Sequence, residues 1–462
     1  MIGNLLGPEL QELILRRDFN QLREILAEFR AADAAEILED LTPADMAVLL
    51  RILPKDFANE VFEYLPHGCQ ESLVRALGDA DVAHILNDLP ADERTAFLEE
   101  LPAKATQRLL GLLSPEQREI ASELLGYPRH SVGRRMTPEY VAIEHGWTVA
   151  QVLQRLREVG REHEGITLNQ LYVVDAAEHL LDWVRLNRVV VAEATTPVAD
   201  LMEGTLIPLH PQDDQEVAVA AFTKYGVTVL PVVDSQGVLL GVVTVDDMLD
   251  VAQRETTEDI QRLGGMDALD APYLQIGLMK MVRKRAGWLA VLFLGEMLTA
   301  TAMGHFEGEI SKAVVLSIFL PLIISSGGNS GSQATSLIIR SLAVGDVSVR
   351  DWWKVLRREL AAGMMLGLSL AVLGFCRIWM WQKVGFQDYG PHFLLVALTV
   401  GFSLVGVVLF GSVVGAMLPF LLRMVRMDPA VASAPLVATL VDVTGLIIYF
   451  NIAYRILRGT ML

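Results

Sequence analysis

The chain has 462 residues, 52% of them hydrophobic, two cysteines and a formal net charge of −18. That length gives room for about three domains, and Cys69 and Cys376 alone support neither a disulfide framework nor a zinc site, which favours a reducing compartment. The acidic excess repels phosphate polymers and excludes nucleic acid as a natural partner.

The charge is unevenly spread. Residues 1–285 hold 26 Lys+Arg against 47 Asp+Glu, whereas residues 286–462 hold 12 against 9 and collect the long apolar runs. An acidic soluble half suits cations, or equally a soluble, self-repelling surface. The opening stretch "MIGNLLGPELQELILRRDFN" lacks the basic start and long apolar run of a signal peptide, so this half is expected in the cytoplasm.

Over residues 1–130, Leu41, Leu53, Leu65, Leu77, Leu89, Leu101 and Leu113 recur every twelve residues. Pro54, Pro66, Pro90 and Pro102 directly follow four of them. The residue before a proline avoids the helical region, and proline suits the first turn of a new helix. The spacing therefore predicts helices of two to three turns, paired as 24-residue hairpins in an acidic solenoid. No catalytic constellation is present in it.

Residues 131–254 alternate β-rich runs with amphipathic helices. "RRMTPEYVAIEHGWTVAQVLQRL" and "ADLMEGTLIPLHPQDDQEVAVAAF" place Met136 and Met202 66 residues apart, an internal duplication with units at 131–197 and 198–254. The second unit resembles a CBS module through "LPVVD", a glycine turn and "GVVTVDD"; the first resembles it more loosely. The resemblance implies an adenine nucleotide such as ATP between the units, its ribose held by a Ser/Thr-x-x-Asp pattern. The second unit carries that pattern as Thr244 and Asp247, whereas the first has Val184 and Asn187.

The stretch from Asp246 to Ile260 carries six carboxylates: Asp246, Asp247, Asp250, Glu255, Glu258 and Asp259. Spacings of three and four put Asp247 with Asp250, and Glu255 with Glu258 and Asp259, on shared helix faces. Like charges so placed repel unless a cation neutralises them, and hard divalent cations take oxygen ligands of this kind. A solvated helix face is the plainer reading. A linker helix is expected over 255–285, ending in the basic "MKMVRKR" of Met279–Arg285.

Residues 286–462 predict five membrane spans, near 286–305, 312–340, 360–382, 392–423 and 431–456. Basic residues at 283–285 and at Arg350, Lys354, Arg357, Arg358, Arg423 and Arg426 mark the cytoplasmic side. The loops "GHFEGEIS" and "VGFQDYGPH" then lie outside, with the C-terminus; Arg455 and Arg458 run against the rule. Within the second span, "PLIISSGGNSGSQATSLIIR" does not make a lipid-facing helix; such backbone is broken or close-packed, or lines a wet cavity. The fifth span carries Pro435, Thr439, Asp442, Thr444 and Gly445, with Pro435 and Asp442 two helical turns apart on one face. A carboxylate at that depth costs at least ~2.5 kcal/mol against lipid, and beside a wet path it selects for cations. Glu296 in the first span is a second such carboxylate, fitting either the path or a polar partner.

"GGNSGSQATSLIIRSLAVGDV" and "DPAVASAPLVATLVDVTGLIIYF", with this domain order, resemble the MgtE family of magnesium channels over nearly the whole chain. The resemblance implies a mostly α fold: a five-helix polytopic domain in the inner (plasma) membrane, carrying a cytoplasmic helical-repeat solenoid and an α/β CBS pair. It also implies a homodimer with one pore on its axis, lined by the second and fifth spans. Asp442 matches the family's pore carboxylate, holding hydrated Mg²⁺ with backbone carbonyls near Ala438 and Pro435. Gly328, Asn329, Gly331, Gln333, Thr439, Thr444 and Glu296 are the pore-lining candidates. Ala434 stands where some relatives have a polar residue, which removes a side-chain ligand there.

Gating follows from the charge. Mg²⁺ would neutralise Asp213, Asp214, Glu216 and the Asp246–Asp259 carboxylates, with Asp92 and Glu93 opposite, and close the pore. Two other readings stand beside this one. "GNSG" at Gly328–Gly331 fits an intramembrane serine protease with Ser330 as nucleophile, but His305 and His392, the nearest candidate bases, sit at span ends. Transport of Mn²⁺, Co²⁺ or Ni²⁺ is the other, although no His/Cys/Met cluster lines the spans.

Overall fold

The computed structural model describes residues 10, 12–14, 16–162, 169–269, 273–274, 276–308 and 313–461. Parts of the first duplicated unit, of the linker and of the "GHFEGEIS" loop, together with the predicted start of the second span, lie outside them. The chain divides into two compact units, Met1–Ala252 and Gln253–Leu462.

In the first unit the twelve-residue period becomes a run of ten-residue helices: Pro43–Ile52, Lys55–Tyr64, His67–Ala76, Asp79–Asp88 and Ala91–Glu100. Each ends on its periodic leucine, which turns extended (Leu53 at φ −71°, ψ 154°) and, except for part-exposed Leu101, is buried in the core. Pro54, Pro66, Pro90 and Pro102 occupy the N-cap position, one residue earlier than predicted, while Pro43 and Pro115 enter the first turn behind the capping Thr42 and Ser114. Alternate helices pack together, Lys55–Tyr64 against Ala31–Glu39 and Asp79–Asp88, so the chain winds a two-row solenoid.

Two small sheets follow. β1 (Ala142–Glu144) runs parallel to β2 (Gln170–Val174), which pairs antiparallel with β3 (Leu180–Arg185). β4 (Val229–Val233) pairs antiparallel with β5 (Leu239–Thr244), and a parallel bridge from Leu209 to Val232 stands where the first copy has β1. The duplicated starts cross over. Met136 is buried among Leu209, Leu230, Val232 and Val243 of the second copy, with Thr137 bridged to Val242. Met202 packs on Val141, Val149, Leu171 and Val184 of the first. Each copy's opening segment thus closes the other's sheet, and the boundaries read from the duplication do not separate two independent cores.

The predicted linker helix is divided. Its first part continues the last helix of the second copy as one element, Val245–Leu263, and the basic stretch Met279–Arg285 forms the first turns of the next helix. Among the described residues, five helices are long and apolar enough to cross a membrane: Leu278–His305, Val314–Ala343, Val349–Val384, Phe393–Met424 and Ala434–Leu457. The third begins about ten residues earlier than the hydropathy alone suggested, because Ser348 and Asp351 form a capping box ahead of Trp352.

The glycine-rich second span is an unbroken helix from Leu320 to Ala343, with Pro321 in its first turn, so the backbone is close-packed and not interrupted. Gly327 and Gly331 lie directly against Gly411 and Gly415 of the fourth span, where an added Cβ would strike a carbonyl. Two hydrogen bonds close the seam: Thr335 Oγ1 donates to the Gly415 carbonyl at 2.8 Å, and the Ser330 and Ser412 hydroxyls are hydrogen-bonded to each other at 2.7 Å. Gly363 and Gly367 bring the third span onto Ser412 and Val405 in the same manner. Small residues at this spacing are what lets helices associate in lipid, where burial of apolar surface gives no drive.

Gly411→Ala is expected to lower stability by ~1–3 kcal/mol through overpacking. Gly287→Ala, where a Cβ meets open space, should be near neutral. Thermal unfolding of the two purified variants in detergent checks the difference.

Candidate ion path and acidic clusters

The fifth span starts at Ser433, which caps the helix by accepting from Leu436 N at 3.4 Å and also accepts from Trp288 Nε1 at 3.2 Å. Pro435 follows in the first turn, against the turn at Gly265, where the backbone takes φ +74° and a Cβ would meet Trp288 at 2.8 Å and Pro435 at 3.1 Å. Pro435, Ala438 and Asp442 share one half-exposed face, with Thr444 partly exposed beyond them. A Cβ added to Gly328 would stand 3.6 Å from Ala438 Cβ, and Ser332 Oγ donates to the Ala434 carbonyl at 3.3 Å, so this face borders the second span.

The second span has two opposed faces. Gly327, Gly331 and Thr335 are buried in the seam, while Ser325, Asn329 and Gln333 form an open stripe at i, i+4 and i+8. Asn329 Nδ2 reaches Ser325 Oγ at 3.4 Å and spans no further. Gly328 and Gly331, expected to line a pore, therefore pack between helices, since a residue without a side chain is what close approach requires. Thr439 is likewise buried: its hydroxyl donates to the Pro435 carbonyl at 3.0 Å, and its methyl lies 2.7 Å from where a Cβ on Gly295 would stand. That contact brings the first span alongside, with Glu296 near Asp442. Ser330 has Ser412 as its partner and no histidine, which leaves the protease reading without its base.

Within the first unit, Asp92 and Glu63, from two separate helices, come near the Asp246–Asp247 carboxylates. Thr244 donates to Asp247, Asp92 lies beside Asp247, and Glu63 sits near Asp246 and Asp247. Burial first, then the Asp247 charge and Glu93, hold the Asp92 carboxyl well above the usual range; burial also raises Asp247 and Glu63. Glu63 was not legible beforehand, because it sits on the helix Lys55–Tyr64 with no pattern linking it to Asp247. Asp213 and Asp214 hold local structure, accepting from His210 N and Glu216 N, each at 2.9 Å, while Asp246 and Asp250 are exposed.

In the second unit, Arg262 is clamped between Glu258 and Asp428. Asp259 beside them is pushed up to about 6, by burial first and then by Asp428 and Glu255. Among the described residues no three His, Cys, Asp or Glu side chains converge as a ligand set for a bare metal ion.

The fold and these faces define a polytopic membrane protein with an exposed polar stripe on one span, an embedded carboxylate on another and a large acidic domain. Family models for a divalent cation transporter, an MgtE intracellular N domain and a CBS domain match residues 320–452, 29–130 and 198–254. The magnesium transporter MgtE of Thermus thermophilus is 39% identical over 459 residues, covering 98% of this chain and 99% of the relative. That of Bacillus subtilis is 27% identical over 457 residues, covering 98% of each. Among solved structures, the cytosolic domain of the Mg²⁺ channel MgtE in complex with ATP aligns at TM-score 0.50 and 36% identity, covering 52% of this chain and 98% of that one. The soluble part of a magnesium transporter aligns at TM-score 0.50 and 26% identity, covering 55% and 99%. The chain belongs to the MgtE family and is a multi-pass membrane protein with its N-terminal half on the cytosolic side.

Asp92 sets a pH dependence. Its folded pKa lies above the unfolded one, so its contribution to stability is present below the unfolded value and is lost as pH rises through the folded value. In divalent-free buffer, the thermal midpoint of the full-length protein should fall across that window, and Asp92→Asn should flatten the slope. An unchanged slope in the variant would contradict this assignment.

Proposed function

We propose that this protein conducts Mg²⁺ across the inner (plasma) membrane as a homodimer, with Asp442 holding the hydrated ion. One observation carries the reading. The stripe Ser325, Asn329, Gln333 is open along a membrane helix, next to the Pro435–Asp442 face. Polar side chains at that depth belong against water or a second copy of the chain, not lipid. Mg²⁺ gives up its water reluctantly, so a carboxylate with the Pro435 and Ala438 carbonyls can hold it hydrated. Asn329, Gln333, Thr444 and Glu296 line this path, with Gly328, Gly331 and Thr439 shaping it from behind. The names of the relatives support Mg²⁺ over Mn²⁺, Co²⁺ or Ni²⁺.

Mg²⁺ also closes the path from the cytoplasmic side. The carboxylates of Asp92, Glu93, Asp213, Asp214, Glu216, Asp246, Asp247 and Asp250, and separately those of Glu255, Glu258 and Asp259, lose their mutual repulsion when a divalent cation is present. An adenine nucleotide such as ATP is the lesser part of this reading. Thr244 and Asp247 offer the ribose pair, and because Asp247 neighbours Asp92, nucleotide and cation draw on the same carboxylate.

Flux into liposomes tests the path. Asp442→Ala should lower Mg²⁺ uptake at least about tenfold, the equivalent of ~1.4 kcal/mol, and unchanged uptake would sink the pore assignment. Limited proteolysis tests the gate: protection of the full-length protein should rise with Mg²⁺ and do so less in Asp92→Asn.

A further inference from the structure

The cytoplasmic ends of the second, third and fourth spans are gathered into one surface. Leu342, Val355, Ala416 and Phe420 form a common buried cluster there, with Val347 against it. Arg423 Nη1 donates to the Leu342 carbonyl at 3.0 Å and ties two of the ends together. Around this cluster stand Arg340, Arg350, Lys354, Arg357, Arg358, Arg423 and Arg426, with Asp346, Asp351 and Glu359 among them and Asp428, two residues beyond Arg426, held by Arg262. Lys354 is paired with Asp351 at 2.7 Å, but among the described residues Arg340, Arg350, Arg357 and Arg426 have no ion-pair partner.

Two features make this more than a diffuse positive end. Arg350, Lys354 and Arg358 follow one another at spacings of four, and Arg357 lies three residues from Lys354, so they cover one side of the helix. They sit in the capping box and first turns of a 33-residue helix, which holds them in place. At the same level Trp352 and Trp353 are 46% and 53% exposed, their rings edge to face at 5.4 Å. Indoles prefer the headgroup layer of a membrane, and unneutralised guanidinium groups bind phosphate oxygens in pairs.

We propose that this collar binds the headgroups of anionic phospholipids of the cytoplasmic leaflet. Arg350, Arg357 and Arg358 take the phosphates, and Trp352 and Trp353 sit among the glycerol backbones. Charge complementarity selects this occupant. The cations stand at the headgroup level of the cytoplasmic leaflet, whose surface is negative, and the neighbouring tryptophans set their depth.

The test uses the full-length protein in nanodiscs of phosphatidylcholine with increasing phosphatidylglycerol. Native mass spectrometry reads the lipid retained, and thermal unfolding reads the midpoint. The wild type should retain anionic lipid, with a midpoint that rises and saturates as phosphatidylglycerol increases. The R350Q/R357Q/R358Q variant should retain several-fold less and lose the rise, whereas R377Q, at the other end of the third span, should behave as wild type. In the wild type itself, ~1 M salt should strip the retained lipid, since charges are then screened within ~3 Å; this holds even if the triple variant fails to insert. Equal retention in the triple variant, or retention indifferent to salt, would overturn the proposal. So would glycerol phosphate raising the midpoint as far as the lipid does, because the site would then be one for a free anion.

Discussion

The approach of Gly327 and Gly331 to Gly411 and Gly415 is the contact on which the membrane half depends. In lipid there is no gain from hiding apolar surface, so helices associate through backbone proximity and interhelical hydrogen bonds. Here the carbonyls of one helix lie where the side chains of the other would be, with Ser330–Ser412 and Thr335–Gly415 fixing the register. Once that face of the second span is committed, helical geometry turns Ser325, Asn329 and Gln333 away from the seam. The same rotation presents Gly328 to Ala438 and Ser332 to Ala434, and so places the fifth span with Asp442 beside the open stripe.

The soluble half works by the opposite device. There, groups that repel are brought together: Glu63, Asp92 and Asp247 come from three separate stretches of chain. A fold that concentrates like charges gives up stability to their mutual repulsion. Near the membrane the acidic set is different in kind, since Arg262 stands inside it between Glu258 and Asp428. Occupancy there is partly settled by the chain's own cation.

Features set by neighbours in sequence could be read directly. The Leu-Pro steps marked helix ends because each acts on the dihedral angles of the residue beside it, and the error was a single position at the caps. The paired starts at Met136 and Met202 revealed the duplication, but not that each start crosses to the other copy, since Thr137 meets Val242 about a hundred residues away. The acidic stretch from Asp246 to Asp259 was plain as charge. Its partners were not: Glu63 and Asp428 reach it only through folding, and the helix carrying it runs on where a domain boundary was expected.

The sequence by itself determined how many times the chain can cross a membrane, which half carries the negative charge, and that Asp442 and Glu296 lie at membrane depth. Those are matters of run length, composition and position. The tertiary structure decided which side of the glycine-rich helix is packed and which is open, a choice that composition leaves free because Gly328, Asn329, Ser330 and Gly331 are consecutive and point in different directions. A helix turns about 100° at each residue, so neighbours in one motif serve opposite ends. Gly331 became packing, Asn329 became surface, and only the contact with Gly411 and Gly415 distinguishes them.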